Sequence, residues 1–447
     1  MSGFRNFLER LEERGELVRI KEELDPRYEL AAAMRYMGEK VPFFEKVKGY
    51  SVPVVGNLLS NRQRLALALG INLDADVTGE FLKRTKKMVP PVQVASGPVM
   101  EVTEARPDIL GVIPVLTHHE KDASPYFSSA VSIARDPETG IRGMGIHRIQ
   151  VKATNRVGIF LASPPLSEFL RKAEAKGEDL PVAIVIGMDP LTWFASVAYA
   201  PYGIDKMGIA GALRGQPVEL APAPVTGLEV PAEAEFLLEG RVLAGVRELD
   251  GPFGESNGVY IAHDNPVVKI EAIHHRTNPI YHALLPFNPE ESVLIGVSWE
   301  AQNLKVLQAD FPRAVKMHLD VHDWTRAIIQ VSEMGQNEIK KFIEHVLENY
   351  PYVKQLVVVD TDINIYDPME VAFALATRMQ PATDIIIKTN LPSSALDPST
   401  EFNEGRFLGS KIGFDATIPG RDKVKFEKIS IPGEVYSKVV GLLATRI

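Results

Sequence analysis

The stretch Ala130–Arg148, AVSIARDPETGIRGMGIHR, decides how the middle of this chain is read. Ala130–Ala134 is a short β-forming run, and Asp136-Pro137-Glu138-Thr139-Gly140 is turn chemistry. Pro fixes φ, Asp accepts bonds from its own following amides, and Gly tolerates a left-handed turn. A second β-like run leads to His147-Arg148. The pattern predicts a hairpin with a His and an Arg at its far end. Gly140-Ile141-Arg142-Gly143-Met144-Gly145 is glycine-dense, but it has neither the Walker nor the G-x-G-x-x-G spacing. It reads either as a plain hairpin turn or as backbone that closely approaches a ligand phosphate. An Arg on a strand leaving such a turn can hold a carboxylate in a bidentate fork.

The same texture extends outward from about 110 to 300. Arg148–Ala153, Val157–Leu161, Val182–Ile186, Glu235–Leu238, Val267–Ile273 and Pro279–Leu285 are short β-like runs, interrupted by one helical segment, Leu166 to Lys176. Many short strands with such turns suggest a barrel or a folded sheet. Towards the N-terminus, Phe4, Phe7, Leu8 and Leu11 recur at helical spacing before Gly15, and Leu17, Val18 and Ile20 read as a strand. A second helix runs from Asp25-Pro26 to Met37. Beyond 313, strand-like Ile328–Val331, Leu356–Val359 and Ile385–Lys388 alternate with helical Gln336–Glu348 and Asp367–Arg378, as in a layered sheet. Val435, Val439, Val440 and Leu443 make Pro432–Arg446 an amphipathic terminal helix, which packs either on a partner subunit or on its own domain. The fold class is α/β, in the multidomain α+β sense.

The 447 residues are 45% hydrophobic and 24% charged, ordinary for a soluble protein. At roughly 100–200 residues per domain, two to four domains are expected. With 49 basic against 58 acidic side chains, the net charge of −9 argues against nucleic acid as a partner. The absence of Cys removes disulfides, thiolate metal sites and cysteine nucleophiles together. Charges interrupt the N-terminal MSGFRNFLERLEERGELVRI too often for a signal peptide. Apolar runs such as Val182–Gly187 fall far short of the ~20 residues that span a membrane. A cytoplasmic protein without membrane contact is expected.

Several polar groups stand out. Glu233, Glu235 and Glu239 would share one face of a strand, as a solvated edge or, less simply, a site for a hard cation. Gly251-Pro252-Phe253-Gly254-Glu255 and Asn288-Pro289-Glu290-Glu291 are rigid turns that present carboxylates. Such a group becomes a proton donor near neutrality only if it is desolvated. His118-His119 and His274-His275 lack the i, i+4 spacing of a helical zinc site, and neighbours on a strand point to opposite faces.

Taken together, these segments resemble the UbiD decarboxylases, which use prenylated FMN. The resemblance rests on Phe43-Phe44-Glu45 with Val47-Lys48-Gly49-Tyr50 and Asn57; on Asp136–Gly140 leading to Gly145-Ile146-His147-Arg148; and on Ala210-Gly211-Ala212-Leu213-Arg214-Gly215 with Pro217-Val218-Glu219. It continues through Val230-Pro231-Ala232, Leu238-Glu239-Gly240 and Gly251–Gly254. It ends with Thr377-Arg378-Met379, Pro381, Asp384, Gly409-Ser410-Lys411-Ile412-Gly413 and Asp415-Ala416-Thr417.

The resemblance implies an N-terminal α/β domain (1–108), a central split β-barrel that binds the flavin (109–305) and a C-terminal α/β oligomerisation domain (306–447). It implies non-oxidative, reversible decarboxylation of a small (hetero)aromatic or α,β-unsaturated acid through a covalent adduct between substrate and prenylated FMN. CO₂ is the co-product, a flavin prenyltransferase supplies the cofactor, and the chain forms a homo-oligomer, a dimer or a hexamer. Arg148 matches the active-site arginine; Glu291 best matches the proton-donating glutamate, with Glu290 one residue away; Glu255 is the candidate for a second glutamate coupled to the arginine. Lys411 matches a lysine near the cofactor, Ser163, His147 or backbone amides at Gly143 are alternative holders of the flavin phosphate, and Met144, Ile146, Arg148 and Glu239 complete the candidate cofactor contacts. Phe127, His147, Phe287 and Asn288 are candidates for the substrate pocket, and their mixture makes a furan-type acid the first guess. Glu239 matches a glutamate that binds a divalent ion (Mn or Mg, alongside K⁺) at the flavin phosphate. The chain departs from the pattern at two other metal ligands: Gly143 stands where Asn is usual, and Ala162-Ser163 where His is expected. The competing readings are a flavin-binding oxidoreductase and a non-catalytic flavin-binding subunit.

Overall fold

The structure is a computed structural model that describes residues 3–161, 163–320, 325–394, 397–403, 405–418 and 423–443. The chain divides into two compact units, one of Met1–Val306 with Leu319–Thr325, the other of Leu307–His318 with Arg326–Ile447. It is an α/β multidomain protein, as its sequence texture predicts.

In the first unit, helix Phe4–Glu13 buries Phe4, Phe7, Leu8 and Leu11, the four residues at helical spacing. Each such burial contributes about 1.5–3 kcal/mol. A four-stranded sheet follows in the order Leu17–Leu24, Val41–Val47, Val54–Val55, Tyr281–His282. Its last strand comes from far along the chain, so the N-terminal region completes its sheet with residues 281–282.

The unit's main sheet has nine strands. Val131–Arg135 pairs antiparallel with Arg142–Ile146, closed by Gly140 (φ 70°), whose amide donates to Asp136 O; this is the predicted hairpin. Next to it lie Leu180–Ile186 and then the two longest strands, Phe236–Gly254 and Tyr260–His275. Alternate residues of Leu180–Ile186 enter different cores: Ala183 and Val185 face one cluster, Val182, Ile184 and Ile186 the other. The sheet is therefore buried on both faces. Helix Leu166–Ala175 covers one of them with Leu166, Phe169, Leu170 and Ala173.

The long strands run in register from Phe236 opposite His275 to Gly254 opposite Tyr260, with irregularities after Glu239, Val242 and Asp250. The last of these sets Gly251-Pro252 apart from the ladder, since Asp250 faces His263 and Phe253 faces Ile261. Gly251 has φ 114°, and a Cβ there would lie 2.6 Å from Ile261 O, so no other residue fits without strain. Such bulges re-aim the side chains on either side; here these are Asp250 and Glu255.

The second unit contains a six-stranded sheet in which Arg326–Val331, Gln355–Asp360 and Arg406–Ala416 are parallel neighbours and Ile385–Pro392 pairs antiparallel with the last. Helix Gln336–Asn349 packs on it through Ile339, Phe342, Ile343, Val346 and Leu347. The terminal helix, Gly433–Leu443, buries none of its described residues; the end of the predicted helix, 444–446, lies outside them.

Candidate active site

Arg148 lies between the hairpin strand Arg142–Ile146 and the strand Ile149–Ala153, where the chain turns from one to the next. Its side chain is 5% exposed. The guanidinium carbon sits 4.6 Å from the Phe160 ring centre and 5.2 Å from that of Phe253. Two aromatic faces of this kind attract a cation while excluding water. Nη2 is 3.4 Å from Asp250 Oδ1, and Nη1 contacts Glu255 Oε1. Burial lowers the Arg148 pKa, with Asp250 and Tyr126 opposing; an arginine nonetheless stays charged. Among the described residues, its contacts with Asp250 and Glu255 are ion pairs without regular hydrogen-bond geometry at Nε, Nη1 or Nη2.

Asp250 is fully buried and takes a 3.3 Å hydrogen bond from the Tyr126 hydroxyl, so it is the fixed counter-charge. Glu255 lies just past the strand end in a turn closed by Glu255 N to Val259 O and Gly258 N to Glu255 O, both 2.9 Å.

Glu291 comes from the first turn of helix Pro289–Asp310. Its Oε2 accepts from Phe287 N at 2.7 Å and its Oε1 from Ser256 Oγ at 2.8 Å. Arg148, Phe160, Phe253, Glu255, Ser256 and Glu291 border one cleft of ≈ 240 Å³, also lined by Ser128, Ile146, His147, Ser163, Val197 and Leu284. His147 is pushed down to about 4 by burial and, next, by the charge of Lys206, so its imidazole is neutral at pH 7. Its buried Nδ1 has no hydrogen-bond partner among the described residues.

The cleft thus brings together Ile146, His147, Arg148, Ser163, Glu255 and Glu291 from among the expected residues. The others lie elsewhere, for physical reasons. Met144 points into the hydrophobic core. Gly143 backs onto helix Leu166–Ala175: a Cβ there would lie 2.6 Å from Phe169 and 2.7 Å from Pro165, so its glycine serves packing rather than a ligand. Phe127 is a core residue whose ring meets Tyr281 edge-on at 6.2 Å. Phe287 contributes its amide to Glu291, and Asn288 donates to Asn57 Oδ1 at 2.9 Å; neither lines the cleft. Glu290 accepts from Leu59 N at 2.9 Å, on the side away from the cleft lining. Lys411, in the second unit, gives its Nζ to the carbonyls of Leu347 and Tyr350 at 2.9 and 3.0 Å, capping a helix end.

Glu239 does not fit the metal role. Its oxygens accept from Val225 N and from Thr226 N and Oγ1 at 2.6 Å, and Oε1 lies 2.9 Å from His274 Nε2. Burial pushes its pKa up, but His274 and Thr226 outweigh this and hold it below the usual carboxylate range. Glu235 is likewise consumed by a bidentate pair with Arg5 (2.8 Å each), and Glu233 pairs with Arg214 at 3.2 Å. The three glutamates are neither a solvated edge nor a cation cluster, and no group of three metal-binding side chains occurs among the described residues.

Asp250 is the functional candidate that sequence reading misses. Its only signal is an acidic residue five positions before Glu255, on the other side of the Gly-Pro bulge.

Comparison with known proteins agrees with this geometry. Three family profiles match in chain order: the N-terminal domain of 3-octaprenyl-4-hydroxybenzoate carboxy-lyase over 8–83, its Rift-related domain over 91–289 and its C-terminal domain over 292–416. The anhydromevalonate phosphate decarboxylase of Methanothermobacter thermautotrophicus is 33% identical, covering 95% of this chain and 99% of its own. The phenolic acid decarboxylase of Sedimentibacter hydroxybenzoicus is 34% identical over 93% and 91%. The UbiD-class enzyme HmfF from Pelotomaculum thermopropionicum, solved with FMN, superposes with a TM-score of 0.92 at 38% identity over 96% of this chain and 98% of its own. An evolved dimeric form of HmfF with prFMN gives 0.88 at 37% over 97% and 98%. An end-to-end match of all three domains, over a fold whose central cleft holds a desolvated arginine between carboxylates, makes this chain a member of the UbiD family of carboxy-lyases.

Proposed function

We propose that the chain catalyses the non-oxidative, reversible decarboxylation of a small (hetero)aromatic or α,β-unsaturated carboxylic acid, a furan-type acid first, with prenylated FMN as cofactor. Arg148 carries the reading: a buried guanidinium against two phenyl rings, paired with Asp250 and with Glu255 at the cleft wall, suits a ligand carboxylate that takes the place of Glu255. Losing CO₂ from an sp² carbon leaves an electron pair that these side chains cannot delocalise, and prenylated FMN supplies that electron sink when bound. Ile146, His147 and Ser163 line the same cleft and would hold it, the unpartnered His147 Nδ1 offering a polar contact. The HmfF complexes with FMN and prFMN support this cofactor.

Arg148 orients the substrate carboxylate towards the cleft. As it does so, Glu255 loses the cation it now contacts, and its affinity for a proton rises. Once CO₂ has left, that proton passes from the Glu255 carboxyl to the carbon that bore the carboxylate, and Glu255 recovers one from solvent. Glu291, the first expectation for this role, accepts both a backbone amide and a hydroxyl, which supports a positioning part for it instead. Asp250 keeps Arg148 paired throughout. Phe160, Phe253, Val197 and Leu284 keep the site dry.

The furan-type guess rests on the small cleft and on neutral His147, which could meet a ring heteroatom. The relatives' names span phenolic and phosphorylated substrates. Homo-oligomerisation is supported by the exposed Val435, Val439, Val440 and Leu443 on the terminal helix and by the dimeric form of HmfF. The test is purification with and without a co-expressed flavin prenyltransferase, followed by assay on furan, pyrrole and phenolic acids. CO₂ release only after co-expression supports the reading. Equal turnover with unmodified FMN, or hydride transfer from NAD(P)H, favours a flavin oxidoreductase.

A further inference from the structure

Lys206 opens helix Lys206–Arg214. Its Nζ donates to Ser196 O at 2.7 Å, immediately before Val197, which lines the cleft. Its charge is felt by His147, another lining residue. Among the described residues no carboxylate pairs with it: the adjacent Asp205 is committed to Arg142 at 2.8 Å and to capping the helix through Met207 N at 2.9 Å. Burial lowers its pKa to about 8, and no neighbouring anion offsets that. A desolvated ammonium with two free donors and no counter-charge is costly unless a ligand supplies the anion. Through His147 and the Ser196-Val197 segment it stands next to the cleft lining, while Asp250 and Glu255 are engaged with Arg148.

We propose that Lys206 is the built-in cation that binds a phosphate monoester at this cleft, that of the flavin mononucleotide, and so does there what a divalent ion would otherwise do. The inference rests on the flavin reading above. It accounts for a chain in which Glu239 is locked to Thr226 and His274 and Gly143 is closed off by Phe169. A lysine binds phosphate as a point charge, and the helix N-terminus behind it adds to the same field. A phosphorylated substrate presents the same chemistry, so the test separates the two sources.

Full-length apo-protein is titrated with FMN and with riboflavin in the presence of EDTA, following flavin fluorescence, for wild type, Lys206→Met and Lys206→Arg. The wild type should bind FMN at least tenfold more tightly than riboflavin without any metal. Lys206→Met should remove that preference, weaken FMN by tenfold or more, leave riboflavin unchanged and raise the thermal midpoint of the apo-protein, because an unpaired buried charge is gone. Lys206→Arg should retain most of the preference. If Lys206→Met keeps the wild-type preference for FMN, the phosphate is held elsewhere: the inference fails while the flavin reading stands. A wild-type preference that appears only when Mn²⁺ or Mg²⁺ replaces EDTA also overturns it. If FMN and riboflavin bind equally while a phosphorylated acid competes in a Lys206-dependent way, the phosphate belongs to the substrate and the flavin assignment is wrong. If wild type binds neither flavin, the flavin reading itself falls, and this inference with it.

Discussion

Arg148 Nη2 lies 3.4 Å from Asp250 Oδ1 while Nη1 of the same guanidinium contacts Glu255, so one cation is shared between a fully buried carboxylate and one at the cleft wall. The two carboxylates cannot play the same part. Asp250 is held by Tyr126 away from the cleft lining, whereas Glu255 lines the cleft and is, in the proposed mechanism, the partner that a ligand carboxylate displaces.

Replacing the arginine should therefore separate charge from geometry. Arg148→Lys keeps a cation but loses the fork, and turnover should fall by about 10²–10³-fold with the fold intact. Arg148→Ala should also destabilise the protein by about 3–5 kcal/mol, because buried Asp250 is left unpaired. Steady-state assays and thermal melts read the two effects. Full activity in Arg148→Lys would show that the fork is unnecessary.

The glutamates should differ in kind. Glu255→Gln removes the proposed proton donor and should cost about 10²–10⁴-fold in kcat. Glu291→Gln retains an acceptor for Phe287 N and can donate its amide NH2 to Ser256 Oγ, so it should raise KM more than it lowers kcat. Equal losses of kcat in both would return Glu291 to the acid role.

Glu239 should behave as a structural group. Glu239→Ala leaves Thr226 and Val225 amides and His274 without their acceptor, costing about 1–3 kcal/mol. Because the folded pKa of Glu239 lies below its unfolded value, its contribution is fully present above the unfolded pKa and disappears as pH falls through the folded one. In urea melts the destabilisation by Glu239→Gln should be present at pH 7 and shrink below pH 4.5, with no dependence on Mn²⁺ or Mg²⁺. A metal-dependent midpoint in the wild type that vanishes in the variant would contradict this.

Gly143→Asn should not create a metal site. The new Cβ meets Phe169 at 2.6 Å and Pro165 at 2.7 Å, so the expected outcome is a loss of about 1–3 kcal/mol without gain in metal affinity. Calorimetry with and without Mn²⁺ checks it.

What could be read from the sequence follows the range of the interactions. The hairpin Val131–Ile146 depends on local turn chemistry, and helix Phe4–Glu13 on a four-residue spacing, so both were legible, as was Arg148 at the hairpin's end. Glu233, Glu235 and Glu239 were not, because their partners Arg214, Arg5 and His274 come from other segments and the strand begins only at Phe236. Asp250 was hidden because period-two alternation sets residues five apart on opposite faces, and only the Gly251-Pro252 register shift allows Asp250 and Glu255 to meet the same arginine. Phe127 was misplaced for the same kind of reason: an aromatic two strands from the arginine in sequence faces the core, not the cleft.

The central claim, that Arg148 binds a carboxylate beside Glu255 as the proton donor, is tested most directly by hydrogen–deuterium exchange. Holoenzyme is incubated in D₂O with the decarboxylated furan product, and deuterium replacing hydrogen at the carbon that bore the carboxylate is followed by NMR. The wild type should exchange that position under CO₂-free conditions, while Glu255→Gln, with an unchanged flavin spectrum, should exchange it at least 100-fold more slowly, an effect of about 2.7 kcal/mol. Exchange at the wild-type rate in Glu255→Gln would contradict the account.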